Sequence, residues 1–128
     1  MTISANTSLE IWQTLLPEGI SPSAKVVLLG IGNEFNGDDA AGVQFIRQLQ
    51  PDVRTPAVLL IEGGTAPENF TGAMRKFAPA LVVMVDAAQM ELQPGQTALL
   101  NPDETEGITA STHTFPLSML AAYIRQEM

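Results

Sequence analysis

The chain has 128 residues, 45% of them hydrophobic and 5% aromatic, and a formal charge of −8 from 14 acidic against 6 basic side chains. That is apolar content enough to bury one core in a length too short for two domains, and the negative balance disfavours nucleic acid as a partner. There is no cysteine, which excludes a thiol nucleophile, a thiolate metal site and a disulfide framework.

Residues 1–7 are small and polar and are expected to fray. Leu9, Trp12 and Leu16 recur at helical spacing over 8–16, with Ser8 as N-cap, and Pro17 and Gly19 stop that helix. Residues 1–24 therefore read as an N-terminal helix and linker, and 25–128 as one α/β domain. Lys25 to Ile31 is the first predicted strand, followed by the glycine-rich turn Gly30-Ile31-Gly32-Asn33 and by Asp38-Asp39 at a helix start. Val43, Ile46 and Leu49 give that helix its buried stripe, and Pro51 ends it. Ala57 to Ile61 is a second strand leading into Glu62-Gly63-Gly64-Thr65-Ala66-Pro67, where Pro67 fits the first turn of a helix with Phe70, Met74 and Phe77 on its core face. Leu81 to Val85 is apolar on both faces, the pattern of a central parallel strand, and ends in Asp86. Gln93-Pro94-Gly95-Gln96 is a turn, Thr97 to Leu100 a short edge strand, and 101–112 a polar loop. Leu117, Leu120, Ala121 and Ile124 outline a last helix that starts near Phe115-Pro116. Strand and helix alternate from residue 25 onward, which gives an α/β fold: a three-layer sandwich around a mainly parallel sheet.

In such a sheet the ligand crevice lies beyond the carboxyl ends of the strands. Asp38 and Asp39, Glu62 and Asp86 all fall at or just after predicted strand ends. His113, the single histidine, precedes the last helix, and a right-handed connection brings its loop to the same edge. Two carboxylates and an imidazole suit a borderline divalent ion such as zinc or nickel and leave coordination positions open. Each residue also has a plainer reading. Asp38 can cap the helix, Asp39 can answer the helix dipole, Glu62 can accept from the Gly63-Gly64 turn, and His113 can be an ordinary loop histidine. Asp86 ends a five-residue apolar run, where a charge is costly unless it serves a site.

Other chemistries fit poorly. Phe35 stands where a dinucleotide fingerprint needs its third glycine, and aspartates occupy the helix start that pyrophosphate would use, which argues against a nucleotide binder. There is no G-x-S-x-G elbow for a serine hydrolase, and Ser111 is the only serine near His113. Paired D-T/S-G loops of an aspartic protease are absent.

Gly30-Ile31-Gly32-Asn33 through Asp38-Asp39-Ala40-Ala41-Gly42 resembles the opening signature of the hydrogenase maturation endopeptidases. The resemblance runs on through Glu62-Gly63-Gly64-Thr65-Ala66-Pro67-Glu68-Asn69, Val85-Asp86-Ala87, Leu92-Gln93-Pro94-Gly95 and Thr112-His113-Thr114-Phe115-Pro116-Leu117, and is nearest to the formate-hydrogenlyase-type branch. It implies a phosphorylase/hydrolase-like fold. It also implies an aspartyl-type, metal-assisted endopeptidase that removes the C-terminal extension of a nickel–iron hydrogenase large-subunit precursor. Asp39, Asp86 and His113 take the family's metal-binding and catalytic positions. Nickel is then supplied by the precursor, and no tightly bound cofactor of the chain's own is expected. The expected partner is that precursor, with no nucleic acid and no membrane insertion, the chain acting as a cytoplasmic monomer. A non-cleaving precursor- or metal-binding module of the same fold is the alternative. The family pattern continues past Met128 into another apolar strand and a closing helix, so the domain is expected to be truncated at its carboxyl end.

Overall fold

The computed structural model describes residues 3–5, 23–89, 93, 95–102, 109–110 and 116–128. Its centre is a parallel sheet of strand β2 (Val26–Ile31) between β3 (Val58–Gly64) and β4 (Leu81–Val85). β2 pairs in register with both neighbours, Leu28 lying opposite Leu60 on one side and Val83 on the other. A 3-10 turn (Gly37–Ala40) and helix α1 (Ala41–Leu49) link β2 to β3. A second 3-10 turn (Pro67–Phe70) and helix α2 (Thr71–Phe77) carry the chain from β3 across to β4. Helix α3 (Leu117–Glu127) ends the chain.

Strand alternation sorts the helices into layers. Val27, Leu29 and Ile31, all fully buried, point to one face and cluster there with Met74 of α2 and Leu120 and Ile124 of α3. Leu28 and Gly30 turn to the other face, where a Cβ on Gly30 would stand 2.6 Å from Cγ1 of Ile46 in α1. Helix, sheet and helices thus form the expected three layers. Each fully buried aliphatic side chain in this core stabilises the fold by roughly 1.5–3 kcal/mol, and α2 and α3 are short enough to depend on that packing.

Two small antiparallel ladders complete the description. β1 (Ile3–Ala5) pairs with β6 (Thr97–Leu99), and β5 (Ala88–Gln89) with β7 (Thr109–Ala110). The expectation of a frayed 1–7 is therefore corrected by β1, and that of an unbroken loop over 101–112 by β7. The turn before β6 is as expected, with Gly95 at φ +89° and the Gln96 N–H donating to the Gln93 carbonyl at 3.0 Å. The expected helix over 8–16 lies outside the described residues.

Two further readings change. β3 runs three residues beyond Ile61, because a bulge lets Gly30 pair with Glu62 and Ile31 with Gly64, so Glu62 sits inside a strand. The Leu81–Val85 run, expected at the centre, flanks β2 among the described residues and is half-buried along its whole length. Hydrophobicity on both faces reports the layers above and below a strand. It carries no information about neighbours in the hydrogen-bonding direction.

Candidate active site

The order β3-β2-β4 fixes where a crevice opens. The connection leaving β2 goes to one side, and β4 is reached on the other, so the topological switch point lies between the carboxyl ends of β2 and β4. Asp39 follows the first of these strands and Asp86 the second.

Asp39 is held there by backbone geometry. Gly32 has φ +135°, and a Cβ on it would lie 1.8 Å from the Asp39 carbonyl oxygen, so the loop doubles back until the two backbones touch. Asn36 accepts from the Asp39 N–H at 3.0 Å, and its side-chain amide donates to Oδ2 of Asp39 at 3.0 Å. The Asp39 carboxylate is thereby oriented at the end of the 3-10 turn, half-buried. Asp38, by contrast, is exposed and does not cap the helix: the position before the turn is Asn36, with no side-chain cap there or at Asp38. The capping expectation fails because the helix opens through a 3-10 turn, one register earlier than the apolar stripe indicates.

Asp86 reaches the same place from β4. A Cβ on Gly42 would stand 2.2 Å from the Val85 carbonyl oxygen and 2.4 Å from that of Ile31. The first turn of α1 thus lies directly over the ends of both strands, with Asp39 before it and Asp86 beside it. Both carboxylate oxygens of Asp86 are buried, and burial penalises an ionised carboxylate unless positive charge or hydrogen-bond donors answer it. Two acids whose backbones flank one switch point are oxygen donors of the kind a divalent cation takes. Among the described residues no third histidine, cysteine or acid joins them.

His113 lies outside the described residues, but the helix that follows it is informative. The C-terminus of α3 is tied to the last turn of α2: Arg75 donates through Nε to the Glu127 carbonyl at 2.8 Å and pairs with the Glu127 carboxylate. The last turn of α2 is at the amino edge of the sheet, because α2 descends between two ascending strands. α3 therefore starts, at Pro116 and Leu117, on the carboxyl edge that carries Asp39 and Asp86.

The third acid has a different fate. Glu62 does not serve the glycine turn; its Oε1 accepts from Arg47 Nε at 2.6 Å and its Oε2 from the Gln50 amide at 3.3 Å. Arg47 also pairs with Glu34, and hydrogen bonds to Glu34 first and Glu62 second hold its pKa above the usual value. Glu34, Arg47 and Glu62 line a cleft of about 330 Å³ between the ends of β2 and β3, together with Phe35 and Thr65. Glu34 and Arg47 were not singled out in the sequence, and Phe35 was noted only for interrupting a glycine pattern. Val43, Arg47 and Gln50 share one helix face, but the spacing alone does not say which strand that face meets.

The hydrogenase maturation protease family matches residues 43–128. The chain belongs to that family. It is 35% identical over 103 residues to the hydrogenase 3 maturation protease of Escherichia coli K12, a match covering 80% of this chain and 65% of that protein's length. A Methanocaldococcus jannaschii protein named for the same activity is 30% identical over 119 residues, covering 88% of this chain and 70% of its own. Among solved structures, the [NiFe] hydrogenase maturation protease HycI of Thermococcus kodakarensis superposes with a TM-score of 0.77 at 35% identity, over 91% of this chain and 72% of that one. A hydrogenase 3 maturation protease structure gives 0.64 at 31% identity, over 84% and 69%. The family match runs from within α1 through α3.

Proposed function

We propose that this chain is an endopeptidase that removes the C-terminal extension of a nickel–iron hydrogenase large-subunit precursor, with Asp39, Asp86 and His113 meeting the nickel the precursor brings. The observation that carries the reading is the placement of Asp39 and Asp86 across the switch point, one oriented by Asn36 and the other with its carboxylate oxygens buried.

Membership in a protease family supports peptide-bond hydrolysis as the reaction. In that reaction a water oxygen bonds to the scissile carbonyl carbon, the C–N bond breaks, and the proton lost by water is delivered to the departing amine. A carboxylate or the imidazole at this edge is suited to accept and pass that proton. In this reading water is the attacking group, in keeping with a chain that has no cysteine and no serine in a nucleophile elbow. Three protein ligands are few for a permanent cage beside the four-ligand sets of structural zinc sites. That suits nickel as part of the substrate, the protease completing a coordination sphere it does not own. The reading places the chain in the cytoplasm as a monomer; no helix among the described residues is long and apolar enough to cross a membrane.

The test is incubation with nickel-loaded and nickel-free precursor, followed by mass measurement. Shortening of the nickel-loaded precursor alone is expected. Stable binding with no change of mass would instead identify a non-cleaving recognition module of the same fold.

A further inference from the structure

One large side chain near the site has no structural task. Phe35 is 89% exposed, far more than any other large hydrophobic group among the described residues. An isolated exposed apolar residue is ordinary, but the chain braces this one. The Asn33 side chain accepts from the Phe35 N–H at 2.9 Å, and the Asn33 carbonyl accepts from the Asn36 N–H at 3.2 Å, closing a tight turn with Phe35 at its tip. On one side Glu34 is pinned to Arg47, which is itself anchored on Glu62 of β3. On the other, Asn36 is bonded to the carboxylate of Asp39. The ring is thus presented at the tip of a hydrogen-bonded turn between the cleft and a site acid.

We propose that Phe35 is the docking anchor for the protein substrate: its ring enters an apolar pocket on the folded precursor and sets the scissile segment against the Asp39 and Asp86 edge. The proposal rests on the processing reading given above. A pre-organised aromatic costs little entropy to immobilise, which is what makes such groups dominate binding energy. The charge decides the class of partner. An exposed aromatic can also seat a protein on a lipid surface, but a net charge of −8, with Glu34 adjoining the ring, opposes anionic headgroups. An apolar pocket on a folded protein carries no anionic headgroups to oppose that charge. Because the tip is tied to Asp39 through Asn36, whatever grips Phe35 is held in register with the chemistry.

The experiment measures equilibrium affinity for nickel-loaded precursor, and in parallel KM and kcat for its shortening, with wild type, Phe35→Ala, Phe35→Leu and Tyr123→Ala. Tyr123 is 40% exposed on α3, across the sheet from α1, and controls for general loss of apolar surface. Phe35→Ala is expected to weaken binding at least about tenfold and to raise KM alike, with kcat at saturation within about twofold. Phe35→Leu should retain most of the affinity, and Tyr123→Ala all of it. Undiminished binding by Phe35→Ala overturns the proposal, as does an equal loss in Tyr123→Ala, or phosphatidylglycerol-vesicle binding by wild type that Phe35→Ala abolishes. If wild type binds without shortening the precursor, the processing reading falls while the affinity comparison still decides the role of Phe35.

Discussion

On its β4 flank, helix α1 meets the sheet through backbone, Gly42 lying against the Val85 and Ile31 carbonyls; on its β3 flank it reaches the sheet through the Arg47 and Gln50 side chains. The first contact leaves no room for even a methyl group. The second is half-exposed and runs through long, adaptable side chains to Glu62. Both acids assigned to the chemistry stand at the unyielding flank, whereas the cleft and the exposed Phe35 stand at the adaptable one. One helix thus fixes the reacting groups by steric exclusion and leaves its other side free to vary with the partner.

The most damaging way to break that contrast is Gly42→Ala. Its Cβ would sit 2.2 Å and 2.4 Å from two backbone oxygens, neither of which can rotate away, so the helix must lift from the sheet. We expect a loss of about 3 kcal/mol, at the upper end of ordinary overpacking, measurable as a lower denaturation midpoint. Processing should fall with it, since Asp39 precedes this turn. A stability equal to wild type would mean that the flank yields after all.

Removing charge at the same flank separates chemistry from folding. Asp39→Asn and Asp86→Asn hold shape nearly constant, and each is expected to reduce processing by at least about a hundredfold, the usual scale for a positioned acid or base. Asp86→Asn keeps the size of a side chain whose oxygens are buried, so the protein should still fold, with a circular dichroism spectrum like that of wild type. His113→Ala is expected to abolish processing with an unchanged circular dichroism spectrum, as no second imidazole exists to replace it. Normal cleavage by any of the three would remove that residue from the mechanism.

Much of this flank was legible in the sequence for a physical reason. A strand, a glycine pair and a helix start are local events, and Gly30, Gly32 and Gly42 mark close backbone approaches that no other residue tolerates. The place of Asp86 directly after β4 was legible because the apolar run stops there. The β3 flank was not legible. Glu62 reads as following a strand until the bulge extends that strand past it, and a bulge depends on the neighbouring strand's backbone. Its partnership with Arg47 spans fifteen residues and rests on how α1 is rotated over the sheet. The rank of Leu81–Val85 within the sheet failed for the same reason: it is a relation between strands.

A milder test addresses the adaptable flank. Arg47→Met keeps the aliphatic stem while removing the pairing to Glu34 and Glu62. Exposed ion pairs contribute little net stability, so the melting temperature should drop by a few degrees at most. That drop should vanish in 1 M salt, where the screening length is about 3 Å. A large, salt-independent loss would show that the β3 flank is as unyielding as the other.

The smallest effect is expected at Asp38, the neighbour of a site residue. Asp38→Asn should leave both stability and processing within about twofold of wild type, since an exposed first-turn carboxylate gains only ~0.3–1 kcal/mol from the helix dipole and salt screens even that. The tolerance follows from exposure rather than from capping, because Asn36 holds the position before the turn and Asp38 is turned to solvent. Asp38→Ala serves as the sharper check. A capping role would make alanine distinctly worse than asparagine, by about 1 kcal/mol, whereas a solvated carboxylate makes the two alike. If Asp38→Asn were the inactive variant and Asp39→Asn the tolerated one, the roles of these consecutive aspartates would be exchanged. The hydrogen bond from Asn36 would then mark the structural acid, leaving the exposed one to meet the metal.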